Sequence, residues 1–213
     1  MPAKKQEKQL DIKVDYTAKQ KEALEILYDQ ETKYFVYGGS KGGGKSVLGS
    51  IYALLNCVFY YPGCRGLIGR EKLIDLKQST LETFFLQCNK WGLIENKHYT
   101  YNQQLNKISF WNSSEIILTD LAYSPSDSFY SGLNGIEVSW IWVDESQEII
   151  ERCKNILSTL IRYKLSNFNL LPGMLLFGFY SIRIISVFEN LVQLGLLPKS
   201  LFEKLKDIIK KET

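Results

Sequence analysis

The stretch GGSKGGGKS, Gly38 to Ser46, constrains this chain more than any other. Five glycines in nine residues give a packed core almost no side chain to use. The flanks differ sharply. Lys33 to Tyr37 (KYFVY) reads as a short buried strand, and Val47 to Tyr60 (VLGSIYALLNCVFY) as an apolar helix. The glycines therefore sit at a strand-to-helix junction, where bare backbone can wrap into a nest of inward-pointing N–H groups. Gly39, Ser40, Lys41, Gly42, Gly43, Gly44, Lys45 and Ser46 fit G-x-x-x-x-G-K-[ST]. That pattern holds nucleotide phosphates on the backbone and the positive end of the helix. In it the lysine, Lys45, reaches the β and γ phosphates, and the hydroxyl of Ser46 ligates Mg²⁺.

The rest of the chain alternates strands and helices. Thr17 to Tyr28 has Ala23, Leu24, Leu27 and Tyr28 at helical spacing, with Thr17 as N-cap. Arg65 to Gly69 (RGLIG) reads as a second inner strand, and Lys72 to Trp91 as helix. Ile108, Phe110, Ile116 and Leu118 alternate with polar neighbours around Asn112-Ser113, which predicts a β-hairpin. A polar loop, Ser124 to Gly135, precedes a third strand, Val138 to Val143 (VSWIWV). Helix is expected over Glu151 to Leu165, a fourth strand over Met174 to Phe179, and an amphipathic helix over Leu191 to Lys211. This order predicts an α/β fold with a mostly parallel sheet covered on both faces. Ligands of such sheets lie beyond the carboxyl ends of the strands.

The third strand ends in Asp144-Glu145 at such a carboxyl end. Beside a phosphate-binding loop, Asp144 suits the Mg²⁺ shell and Glu145 the general base that takes a proton from attacking water. The same pair also suits a helix N-cap with a first-turn acid. Arg162 and Lys41 are candidate cations for transition-state charge, with Arg70 a lesser one. Arg162 reads equally as a solvated helix residue. Gln20 could read an adenine edge, since its amide both donates and accepts, or could simply face solvent.

Composition bounds the remainder. With 213 residues, 45% of them hydrophobic, the chain can bury a core without disulfides. Cys57, Cys64, Cys88 and Cys153 form no C-x-x-C pair and His98 is the one histidine, which argues against zinc and for free thiols in a reducing cytosol. A net charge of +3 neither requires nor excludes a nucleic-acid partner. The charged N-terminus carries no secretory h-region. The apolar run Leu170 to Val187 is broken by Pro172, Gly173, Gly178 and Arg183, so a buried strand is expected there rather than a membrane span.

Taken together, YTAKQKEALEIL, YFVYGGSKGGGKS, GREKLIDLKQST, WNSSEI and WIWVDESQEI resemble the ATPase domain of phage terminase large subunits, from about Tyr16 to Ser181. The resemblance implies a P-loop, RecA-like fold of the additional-catalytic-glutamate-strand type, with a β-hairpin insertion. It assigns Gln20 to adenine, Gly39 to Ser46 to triphosphate and Mg²⁺, Asp144 to the metal and Glu145 to water activation. It also favours Arg162 as a catalytic cation. ATP and Mg²⁺ are the implied cofactors. Double-stranded DNA, the small terminase subunit, the portal protein and a ring of identical copies are the implied partners, in the cytoplasm of a bacterial host. The implied division is a lead-in over 1–15, the ATPase domain over 16–181 and a helical tail over 182–213.

Two departures stand against the family pattern. Its fourth strand normally leads to a Thr/Ser segment ending in Asn-Pro, where this chain has Phe179-Tyr180. Its members also continue into a nuclease domain, whereas this sequence stops at Thr213, so no DNA cleavage is expected of it. Leu160, where such motors often carry a further arginine, is a smaller departure. An ATP-binding remnant with negligible turnover and a helicase-type RecA-like ATPase are the alternative readings.

Overall fold

The computed structural model describes residues 14–29, 32, 34–38, 42–165 and the backbone of 173–177. These form a seven-stranded sheet in the order β1-β7-β6-β2-β5-β4-β3. The strands are β1 (Tyr34–Tyr37), β2 (Arg65–Arg70), β3 (Tyr99–Asn102), β4 (Lys107–Phe110), β5 (Glu115–Asp120), β6 (Trp140–Val143) and β7 (Gly173–Phe177). The five strands from β1 to β5 across the sheet are mutually parallel. One strand, β7, separates the strand before the glycine loop from the strand before Asp144. That inserted strand is what marks the RecA-like, additional-strand class expected from the sequence.

Burial explains the strand sequences. All four residues of β6 (WIWV) are buried, as a central parallel strand covered on both faces requires. Trp140 and Trp142 join Leu48, Ile51, Leu54, Ile68 and Phe84 on one face. Ile141 and Val143 join Leu67, Val138, Leu157 and Leu160 on the other. The first face is covered by α2 (Lys45–Leu54) and α4 (Leu81–Lys90), the second by α5 (Glu151–Leu160). Gly66 of β2 is bare because a Cβ there would overlap the Trp140 ring.

Two helices carry π-helical turns. The helix begun by α2 continues as Leu55–Tyr60, and the short α3 (Leu73–Asp75) reaches α4 through Leu76–Thr80. The first helix, α1 (Ala18–Leu27), opens on Thr17 with a capping box shared with Gln20.

One expectation is borne out with an addition and two need correction. The predicted hairpin around Asn112-Ser113 is β4 and β5, but β5 also pairs in parallel with β2, and β3 adds an antiparallel edge. The segment is thus an extension of the central sheet. The strand β1 pairs only with β7 among the described residues, and Tyr34 is 54% exposed, so it is an edge rather than a buried strand. The last helix expected before β7 ends at Leu160, five residues early. There the chain turns extended, Ile161 bridging Val138 and Tyr163 N–H donating to Val138 C=O. Within Leu170 to Val187, β7 occupies Gly173–Phe177 and the rest lies outside the described residues, as do Phe179-Tyr180 and the helix expected over Leu191 to Lys211. Among the described residues no helix is long and apolar enough to cross a membrane.

Candidate active site

Both suspected segments leave the sheet at the same rim. Tyr37 of β1 pairs with Phe177 of β7, and Val143 of β6 pairs with Leu176. Their carboxyl ends are therefore offset by one residue and two strand spacings apart, about 10 Å. Gly38 continues one of them and Asp144 the other.

On the loop side, Gly44 caps α2 in the left-handed region (φ +72°) and offers no side chain to the helix's open N–H groups. Lys45 is the first helical residue and is buried, and Ser46 beside it is half-buried. Gly42 and Gly43 are exposed. Gly39, Ser40 and Lys41 lie outside the described residues.

Gln20 is buried, not solvent-facing. Its Oε1 accepts from Thr17 N–H at 2.9 Å and its Nε2 donates to Gly44 C=O at 3.0 Å. The amide is thus occupied in tying α1 to the last glycine of the loop. That engagement uses one donor and one acceptor of the amide; its Thr17 half is a T-x-x-Q capping box visible in the sequence, whereas the Gly44 contact is set by the fold.

On the acid side, Asp144 is 3% exposed. Its N–H donates to Gly69 C=O of β2, and its Oδ2 accepts from Thr80 Oγ1 at 2.5 Å. Its Oδ1 is buried with no hydrogen-bond partner among the described residues. Burial raises the Asp144 pKa. The Thr80 hydrogen bond opposes that rise, the Glu145 charge adds to it, and the Arg70 charge and the Glu145 backbone N–H oppose it. Glu145 follows in the left-handed region (φ 50°, ψ 50°), a conformation that costs a non-glycine residue about 1–3 kcal/mol. Its Oε2 accepts from Gln147 Nε2 two residues on.

Arginines divide between the two ends of the sheet. Arg70, at the carboxyl end of β2, has a side chain 17% exposed and stands 3.6 Å from Glu148, an ion pair longer than a hydrogen bond. Its Nη1 donates to Ser79 Oγ at 2.8 Å. Arg162 goes the other way. Because α5 runs back along the sheet, Ile161 pairs with Val138, six residues before Asp144, which places Arg162 about 20 Å from that carboxylate by strand rise. Arg162 instead pairs with Glu137 at 3.0 Å, half-exposed. The expectation of Arg162 as a catalytic cation within one chain is therefore corrected: Arg70 is the arginine that the fold delivers to the acidic pair.

Thr80 and Gln147 were not anticipated from sequence. For Thr80 a signal exists: Leu73, Leu76, Thr80 and Phe84 recur at helical spacing, so a polar residue interrupts an apolar stripe.

The sequence matches no protein-family model and no curated protein. Solved structures do match. The large terminase of a thermophilic bacteriophage aligns with a TM-score of 0.58 at 13% identity, over 84% of this chain and 44% of that one. The large terminase of bacteriophage HK97 aligns with a TM-score of 0.59 at 11% identity, over 85% and 38%. The thermophilic phage's protein in complex with ADP gives 0.55 at 14% identity, over 76% and 38%. The chain thus has the fold of phage large terminases and spans less than half the length of these relatives in structure.

Proposed function

We propose that this chain is a Mg²⁺-dependent ATPase that works as the motor of a phage large terminase, driving double-stranded DNA. One observation carries the reading most: the Lys45-Ser46 helix start and the Asp144-Glu145 pair lie at one sheet rim, separated by a single strand. The fold shared with large terminases, one of them solved with ADP and with ATP-gamma-S, supports it.

The donor set suits magnesium. A buried carboxylate oxygen without a hydrogen-bond partner, Asp144 Oδ1, and the Ser46 hydroxyl are hard oxygen ligands of the kind Mg²⁺ takes together with phosphate. Among the described residues no cluster of three His, Cys, Asp or Glu side chains could hold a metal alone; a Mg²⁺ ion held by Ser46 and Asp144 would need phosphate oxygens and water as its other ligands. When bound, the ion draws negative charge from the phosphate oxygens.

The protein's own groups do the rest. Gly39 to Gly44 offer backbone N–H groups to the triphosphate, and Lys45 places its charge against the β and γ phosphates. Glu145 accepts the proton of a water that attacks the γ-phosphorus as the bond to ADP breaks. Gln147 holds that carboxylate in place. Lys41 remains the candidate loop cation. The partners proposed, as the sequence resemblance implies, are duplex DNA, a small terminase subunit, a portal and further copies of this chain, in the host cytoplasm.

Phosphate release with and without duplex DNA tests this. Glu145→Gln is expected to lower turnover by about 10²-fold or more while nucleotide still binds, the usual scale of general-base catalysis. Equal rates in the two proteins would overturn the assignment.

A further inference from the structure

We infer that Thr80 is the positioning residue of the acidic site: it holds Asp144 Oδ2 so that Oδ1 alone is offered to the metal. The inference rests on the proposed function. Its geometry is plain in the structure. Thr80 is 1% exposed and closes the π-helical turn Leu76–Thr80, between β2 and α4. Such turns add a residue to the helical circuit and recur at functional sites. Here the turn brings two consecutive hydroxyls to two neighbouring strand ends. Ser79 Oγ accepts from Arg70, the last residue of β2, while Thr80 Oγ1 donates to Asp144, the residue after β6.

A carboxylate joined to its chain by rotatable bonds would otherwise present either oxygen. Thr80 claims one of them, and the other stays buried without a partner. The backbone is pinned as well, since Asp144 N–H donates to Gly69 C=O at 2.9 Å. Arg70 braces the far side, reaching Glu148 in the turn that follows Glu145. Groups that orient a metal ligand in this way typically control metal affinity by 10–100-fold when removed.

The test compares Thr80→Val, Thr80→Ser and wild type by fluorescence titration of a labelled ATP, run across Mg²⁺ concentrations and again in EDTA. Valine keeps the shape and loses the hydroxyl; serine keeps the hydroxyl. Thr80→Val is expected to raise the Mg²⁺ midpoint by about 10-fold or more with metal-free nucleotide affinity unchanged, and Thr80→Ser to stay within a few-fold of wild type. An unchanged midpoint in Thr80→Val, or a loss of nucleotide affinity equal with and without Mg²⁺, would overturn the inference. If Thr80→Val does not fold, Thr80→Ser decides, and a tenfold higher midpoint in that variant is contrary evidence. Wild-type binding that ignores Mg²⁺ would refute the proposed function itself, a distinguishable result.

Discussion

Gly44→Ala and Gly42→Ala separate backbone strain from the latch between Gln20 and the loop. Both glycines lie in the left-handed region, at φ +72° and +86°. Alanine in that region costs about 1–2 kcal/mol. At Gly42 no described residue stands within 4 Å of a new Cβ, so backbone strain is the cost expected there. At Gly44 the Cβ would meet Gln20 Nε2 at 2.6 Å. A free glutamine would swing aside, but this one is buried and bonded at both ends of its amide. Displacing it forfeits two hydrogen bonds, about 0.5–1.5 kcal/mol each. Gly44→Ala should therefore destabilise by about 1–3 kcal/mol more than Gly42→Ala, a urea midpoint lower by roughly 1 M. In a Gln20→Ala background the excess should vanish, leaving Gly44→Ala with the strain cost alone. Equal urea midpoints for the two single variants, or an excess that survives Gln20→Ala, would refute the latch.

Other outcomes follow from the same geometry. Arg162→Ala should leave nucleotide affinity unchanged and stability within about 1 kcal/mol, since its ion pair with Glu137 is half-exposed and remote from Asp144; a large loss of nucleotide binding would contradict its placement. Phe84→Ala, at a fully buried ring, should cost about 3–5 kcal/mol by denaturant unfolding. His98, the one histidine of the chain, should titrate below the ordinary histidine range by proton NMR. Burial and then the Lys97 charge depress it, and its Nδ1 accepts from Ile94 N–H at 2.9 Å. Because the folded pKa is lowered, this stabilisation is complete above about pH 6.5 and is lost as pH falls through the folded value. A pKa above 6.5 would contradict the arrangement.

Local chemistry explains what could be read beforehand. The glycine loop was legible because a phosphate nest needs fixed residue types at fixed spacing, and β6 because WIWV suits only a strand buried on both faces. The Arg162 expectation failed for a topological reason: α5 runs back along the sheet, and Ile161 pairs with Val138 at the end of the sheet opposite Asp144. Periodicity over Glu151 to Leu165 carries no trace of that pairing. The long-range partners of Gln20 and Thr80, Gly44 and Asp144, were hidden similarly, lying 24 and 64 residues away. Contacts at such separations are set by tertiary packing, which local spacing does not encode.

The central claim is that one Mg²⁺-bound triphosphate is gripped by the start of α2 and the end of β6. Anomalous diffraction from crystals grown with Mn²⁺ and a non-hydrolysable ATP analogue tests it most directly. A single manganese peak between the Ser46 hydroxyl and Asp144 Oδ1, with the Lys45 ammonium on the terminal phosphates, is the expected result. Nucleotide bound away from that rim, or manganese held by other residues, would contradict the account.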